Sequence, residues 1–135
     1  MSDPAASPAR VATTLVTGPG ARAREQAILI ELQRAGSAGA AAHQAIILEG
    51  LPSGDSPLDT FSPAPQLARI APGCLCCTGN LVLRVTLNRM LRQRPERLFL
   101  GLARGEHLDQ LRSWLQAEPY DQLLMLTPDI QAQGF

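Results

Sequence analysis

The feature that most constrains the fold is a seven-residue run, Val11 to Thr17 (VATTLVT), stopped at once by Gly18-Pro19-Gly20. A β-branched run of that length predicts a buried strand, and two glycines around a proline predict a tight turn at its end. Residues 22–35 then set Ile28, Leu29, Leu32 and Ala35 on one face at three- and four-residue spacing, with Gly36 placed to end the helix. After the small-residue connector 36–42, residues 44–48 (QAIIL) read as a second buried strand, so strand, helix, strand implies parallel pairing.

The rest of the chain keeps this alternation. Residues 51–66 carry Pro52, Gly54, Pro57, Pro63 and Pro65, too many breakers for an element, and read as a functional or mobile loop. A short strand over 67–71 leads to Pro72-Gly73. A second helix over 80–93 has Leu83, Leu87, Met90 and Leu91 on one face and Arg84, Asn88 and Arg92 on another. A strand over 98–103 (LFLGLA) follows, then a third helix with Leu108, Leu111 and Leu115, closed by Pro119. Trp114 is expected to pack that helix against the sheet. A last strand spans 122–127 (QLLMLT). The expected fold is a three-layer α/β domain with a mainly parallel sheet over 11–127, flanked by an N-terminal tail, 1–10, and a C-terminal tail, 128–135.

With 135 residues, 45% of them hydrophobic, the chain has material for one core and no second domain. Twelve basic and twelve acidic side chains cancel, which removes a whole-molecule field for nucleic acid or an anionic membrane. No apolar run reaches membrane-spanning length, and MSDPAASPAR has no apolar signal core, so a cytoplasmic protein without a membrane partner is expected.

Three cysteines, Cys74, Cys76 and Cys77, lie within four residues. The cluster is too local and odd in number for a disulfide framework, and between Pro72-Gly73 and Thr78-Gly79 it reads as a loop with metal or redox chemistry. Thiolates favour zinc and related cations, and a remote donor would complete a tetrahedral set. Candidate donors are His107, His43, Glu49 and Asp55, near predicted strand ends or in the adjoining loop, with His107 first because it follows the LFLGLA strand. The redox alternative is a reducible Cys76–Cys77 or Cys74–Cys77 bond, and small buried thiols are the structural one.

The glycine turn sits where a phosphate-binding loop would. That pattern, G-x-x-x-x-G-K-[ST] between strand and helix, cradles phosphates with backbone amides and neutralises them with its lysine. Aligned from Gly18, the second glycine becomes Ala23, the lysine Arg24 and the hydroxyl residue Glu25; all twelve cations are arginines, so no lysine can substitute. Phosphoryl transfer is not expected. An anion or weakly held nucleotide would meet Gly18, Gly20, Arg22 and Arg24; the alternative is a strand-to-helix turn with no ligand.

The order of these motifs resembles the nucleotide-binding domain of the CobW-like P-loop GTPases, relatives of the hydrogenase and urease nickel-insertion GTPases. The match lies in Thr17, Gly18, Gly20, Ala21, the strand end Ile46-Ile47-Leu48-Glu49 and above all Gly73-Cys74-Leu75-Cys76-Cys77, across residues 11–127. The resemblance implies a P-loop NTPase-like fold, a metallochaperone role for zinc or cobalt, thiolate ligands at Cys74, Cys76 and Cys77, and an acidic switch residue at Glu49. Departures accompany it. Leu102-Ala103-Arg104-Gly105 keeps the glycine of the family's Glu-x-x-Gly segment and lacks its Glu, and the guanine-reading segment and C-terminal domain would lie beyond Phe135. A truncated, catalytically degenerate member is therefore expected.

The expected function is metal handling or sensing by zinc, cobalt or another thiophilic cation. Alternatives are a non-enzymatic interaction module on the same fold, which could pair with a protein partner or a second copy, or a weak GTP binder. A basic strip, Arg84, Arg89, Arg92, Arg94 and Arg97, would suit RNA or an acidic partner. One Trp, one Tyr and three Phe leave few base-stacking groups, so nucleic acid is not expected and a solvated face is.

Overall fold

A strand paired in parallel on both edges needs helices on both faces to exclude water, and the apolar runs here meet that condition. The computed structural model describes residues 10–18, 20–35, 44–50, 58, 66–70, 81–93, 95–102, 108–117 and 120–132. In chain order they form β1 (Val11–Thr17), α1 (Ala21–Ala35), β2 (Gln44–Glu49), β3 (Gln66–Ile70), α2 (Leu81–Leu91), β4 (Arg97–Gly101), α3 (Leu108–Leu115), a 3-10 turn (Tyr120–Gln122), β5 (Leu124–Leu126) and β6 (Ile130–Gln131).

The sheet runs β3-β2-β4-β1-β5, with β6 also on β1, and every pairing is parallel. Side chains alternate between faces with a period of two. Leu15, Ala45, Ile47, Leu98 and Leu100 meet Leu83, Leu87 and Met90 of α2 and Leu111 and Leu115 of α3. Their strand neighbours Val16, Ile46, Leu48 and Phe99 meet Ile28, Leu29 and Leu32 of α1. The expected α/β fold with a parallel sheet and three helices is thus observed, with α1 on one face and α2 and α3 on the other.

The C-terminal part departs from the expected pattern. Of 122–127, the first residue closes the 3-10 turn and only Leu124–Leu126 form β5. The stretch after Thr127, read as a tail, contributes β6. Val11 pairs with Leu124 but Val16 with Ile130, so the offset grows by one residue between them. The extra residue lies within Thr127-Pro128-Asp129, where Pro128 has no N–H to donate and the ladder bulges. Thr127 anchors the bulge: its N–H donates to Thr13 O at 2.9 Å and its hydroxyl lies 2.6 Å from that of Thr14. Asp129 is ion-paired with Arg112 of α3.

Leu58, the one described residue of 51–65, is buried in the α1-side cluster. Trp114 of α3 packs against the cluster that contains the sheet residues Leu15, Ile47, Leu98 and Leu100, and its ring meets Tyr120 at 4.9 Å between centroids. Burial of Tyr120 pushes its phenol above the usual value, against the opposing effects of Arg84 and the bond its hydroxyl donates to Asn88 Oδ1 at 2.8 Å.

A raised phenol pKa favours the protonated form in the folded state, so this stabilisation is complete below the unfolded value of about 10 and is lost as pH rises through the folded one. Thermal melts of the wild type should therefore fall more steeply above about pH 10 than those of Tyr120→Phe, which should itself cost about 1 kcal/mol at neutral pH through the lost hydrogen bond.

Candidate functional site

Parallel strands align their carboxyl ends, and in this sheet those ends carry the polar chemistry. Gly18 leaves β1 and Gly20 opens α1, with the Arg24 N–H bonded to Gly20 O at 3.1 Å as the first helical bond. A Cβ on Gly18 would sit 2.7 Å from Ala132 Cβ and 3.1 Å from Ala132 O, because β6 brings Ala132 against the turn. Gly20 faces open space.

The four residues expected at an anion site part company here. Arg22 is exposed, whereas Arg24 is buried and folds back so that Nη1 donates to Gly18 O at 2.8 Å. Burial pushes the Arg24 guanidinium below its usual value, opposed by the negative charges of Glu49 and Glu25. It stays a cation at neutral pH. The residue at the lysine position of the phosphate-loop pattern is therefore committed to the protein's own carbonyl and carboxylates.

Glu49 ends β2 and is buried. It pairs with Ile70 at the end of β3, and the next residue, Gly50, turns with φ +99° while its N–H donates to Ile70 O at 2.7 Å. A positive φ suits glycine, which has no Cβ to clash, so this sharp exit from β2 is locked to the exit from β3. Glu25, at the hydroxyl position of the pattern, is 2% exposed. Arg69 of β3 grips its carboxylate with both guanidinium ends, at 3.0 and 3.5 Å. Two cations and two carboxylates thus share this end of α1, β2 and β3.

The Glu25–Arg69 pair was not read from the sequence, where Glu25 stands only at the hydroxyl position of the phosphate-loop pattern. The signal was there: a carboxylate beside Ala23 and Ile28 on the buried side of α1 needs a cation, and Arg69 interrupts the apolar run of β3. Cys74, Cys76, Cys77, His107, His43 and Asp55 lie outside the described residues. β4 ends on the same edge as the glycine turn, since Gly101 pairs with Val16 and the Leu102 N–H donates to Val16 O at 2.8 Å. Among the described residues no three His, Cys, Asp or Glu side chains converge on one point, and no helix is long and apolar enough to cross a membrane.

Arg97, counted in the basic strip, does not belong to an open cationic surface. Its Nη1 donates to Glu31 O at 3.2 Å, its Nη2 lies 3.8 Å from Glu31 Oε1, and its guanidinium rests 4.8 Å from the Phe99 ring centroid.

Removing one partner of a buried pair strands the other, so Arg69→Ala should cost about 3 kcal/mol in denaturant unfolding, with Arg69→Lys recovering only part because an ammonium lacks the planar fork that makes two parallel bonds to the carboxylate. Gly18→Ala should cost about 1–3 kcal/mol, since Ala132 and its backbone must move to admit the methyl group. Comparison with known protein families, with curated proteins and with solved structures finds no match to this chain.

Proposed function

We propose that this chain is a cytoplasmic metal-handling protein of the CobW-like kind, on a three-layer P-loop-like fold whose nucleotide site has been given up. Cys74, Cys76 and Cys77 act as thiolate ligands for zinc, or for cobalt or another thiophilic cation. The metal is cargo or signal, and no phosphoryl transfer accompanies its binding. Three thiolates with one oxygen or nitrogen donor make the tetrahedral set that zinc favours, so the donor chemistry fits the ion.

The observation that carries this reading is the lock between Glu49-Gly50 and Ile70. Cys74 follows Ile70 by four residues in sequence, and Ile70, the last residue of β3, is paired with the buried Glu49 at the end of β2. Glu49 and His107 are the candidate fourth donors. Arg24 already sits in the field of Glu49, which makes that carboxylate an exchangeable donor rather than a vacant one. The commitment of Arg24 to Gly18 O supports the exclusion of nucleotide, because phosphate would have to displace a charge-assisted hydrogen bond.

The test is elemental analysis of anaerobically purified protein beside Cys74→Ser/Cys76→Ser/Cys77→Ser, with circular dichroism confirming that both fold. About one equivalent of zinc in the wild type, absent from the variant, is the expected result. Uptake should decline as pH is lowered from about 8 to about 6, since protons compete for the thiolates. Wild type that takes up neither zinc nor cobalt at micromolar concentration would overturn the reading.

A further inference from the structure

The outer face of α2 is unlike that of an ordinary surface helix. Leu83, Leu87 and Met90 are buried and hold the helix on the sheet. On the opposite side, Leu81, Val82 and Val85 are 64%, 48% and 49% exposed. Leu81, Val85, Arg89 and Arg92 follow one another at spacings of four, four and three residues, which makes one stripe with Val82 beside it. Leucine and valine at these places stand outside both core clusters, and a solvated face would carry polar groups instead.

The charges along the stripe have one sign. α2 contains no acidic residue. Arg84 is held over the Trp114 ring at 5.9 Å, and Arg97 is turned to Glu31 and Phe99. Arg89 and Arg92 are exposed and make no ion pair among the described residues. An aliphatic first half and a cationic second half on one stripe call for a partner with apolar groups at one end and carboxylates at the other.

We propose that the outer stripe of α2 docks an acidic amphipathic helix of a partner protein, with two or three aliphatic side chains on Leu81, Val82 and Val85 and carboxylates on Arg89 and Arg92. A helix fits because a helical stripe packs along another helix by ridges into grooves, with apolar anchors repeating at three- and four-residue spacing. The same stripe of a second copy would bring arginine against arginine, since α2 holds no carboxylate. A bilayer is a poorer fit, since interfacial helices insert aromatic rings and long aliphatics, and this stripe offers two valines and one leucine. RNA lacks apolar groups for the valines, and no aromatic ring lies on the stripe for bases to stack on. The stripe is short, so the contact belongs to the weak, transient class. The inference is independent of the metal reading, because it uses none of the thiols.

The test uses the full chain and a fluorescein-labelled helical peptide of 15 to 20 residues, with Leu at three- and four-residue spacing in one half and Glu at the same spacing in the other (lengths of about four to five turns). Anisotropy should show saturable binding that weakens about tenfold on Val85→Glu and about tenfold on Arg89→Glu/Arg92→Glu, and that loses strength as salt rises. A peptide with Lys in place of Glu should restore binding to the arginine-reversed variant and not to the wild type. Val85→Ala, a milder change on the same exposed side, should give a smaller loss with an unchanged melting curve. The proposal is overturned if the acidic peptide fails to bind wild type, if the variants bind it equally, or if the same variants instead abolish binding to phosphatidylserine vesicles or to an oligouridylate. Sedimentation showing a dimer that Val85→Glu dissociates would also overturn it.

Discussion

Everything in this fold depends on β4 being inserted between β1 and β2. The same five residues pair with Ala12 to Val16 on one side and with Gln44 to Leu48 on the other. Until β4 arrives, α1 has carried the chain from β1 to a β2 that it cannot touch, and Phe99, Leu98 and Leu100 are missing from both core clusters. The sheet is therefore assembled from non-local contacts, with loop-closure entropy offset only when both edges of β4 are paired. The apolar runs that form β1, β2 and β4 are continuous rather than alternating for this reason, since each faces a helix layer on both sides.

The same insertion concentrates charge at one end of the sheet. Parallel strands leave their last residues side by side, and the helix after β1 starts just above them. Glu25 and Arg24 enter from α1, Glu49 from β2 and Arg69 from β3, and the low-exposure setting makes each charge costly unless another opposes it. The result is a neutral cluster that locks α1 to the β2-β3 side. A phosphate loop would keep that volume open and positive. Here Arg24 is drawn back to Gly18 O, and Ala132 closes against the glycine on the far side, so the turn that most resembles a ligand site is occupied by the protein's own groups.

The elements that were legible in the sequence are those decided by hydrophobic pattern. β1, β2, α1 and α2 lie within a residue or two of their expected bounds because periodicity and glycine stops determine them, and α3 contains the expected Leu108, Leu111 and Leu115. What was not legible depended on contacts distant in sequence. The bulge at Thr127-Pro128-Asp129 exists because β1 continues past the length of β5 and offers Val16 and Thr17 to whatever follows; nothing in QLLMLT announces it. Glu25 and Arg69 are 44 residues apart, and only the β2-β3 pairing brings Arg69 under α1. Arg97 looked like one more cation after α2, but it alternates with Leu98 and so shares the α1 side of β4 with Phe99, where Glu31 receives it. Of the candidate site, Glu49 was legible as the end of its strand, where β2 does end, while the field joining Glu49 to Arg24 required the fold.

The two proposed activities meet on α2 without sharing a residue. Its first turn follows the thiol segment in sequence, its inner side supplies Leu83, Leu87 and Met90 to the core, and its outer side carries the aliphatic and cationic stripe. An interaction module and a metal site are often offered as rival explanations of a fold without recognisable catalytic groups, yet here the physical requirements are separable. Metal binding demands soft donors close together on one segment, while docking demands a rigid stripe with one sign of charge. α2 can satisfy the second because Leu83, Leu87 and Met90 hold it on the sheet while Leu81, Val82, Val85, Arg89 and Arg92 stay exposed. That division lets loss of thiols and loss of the stripe be read as two distinct defects in one chain.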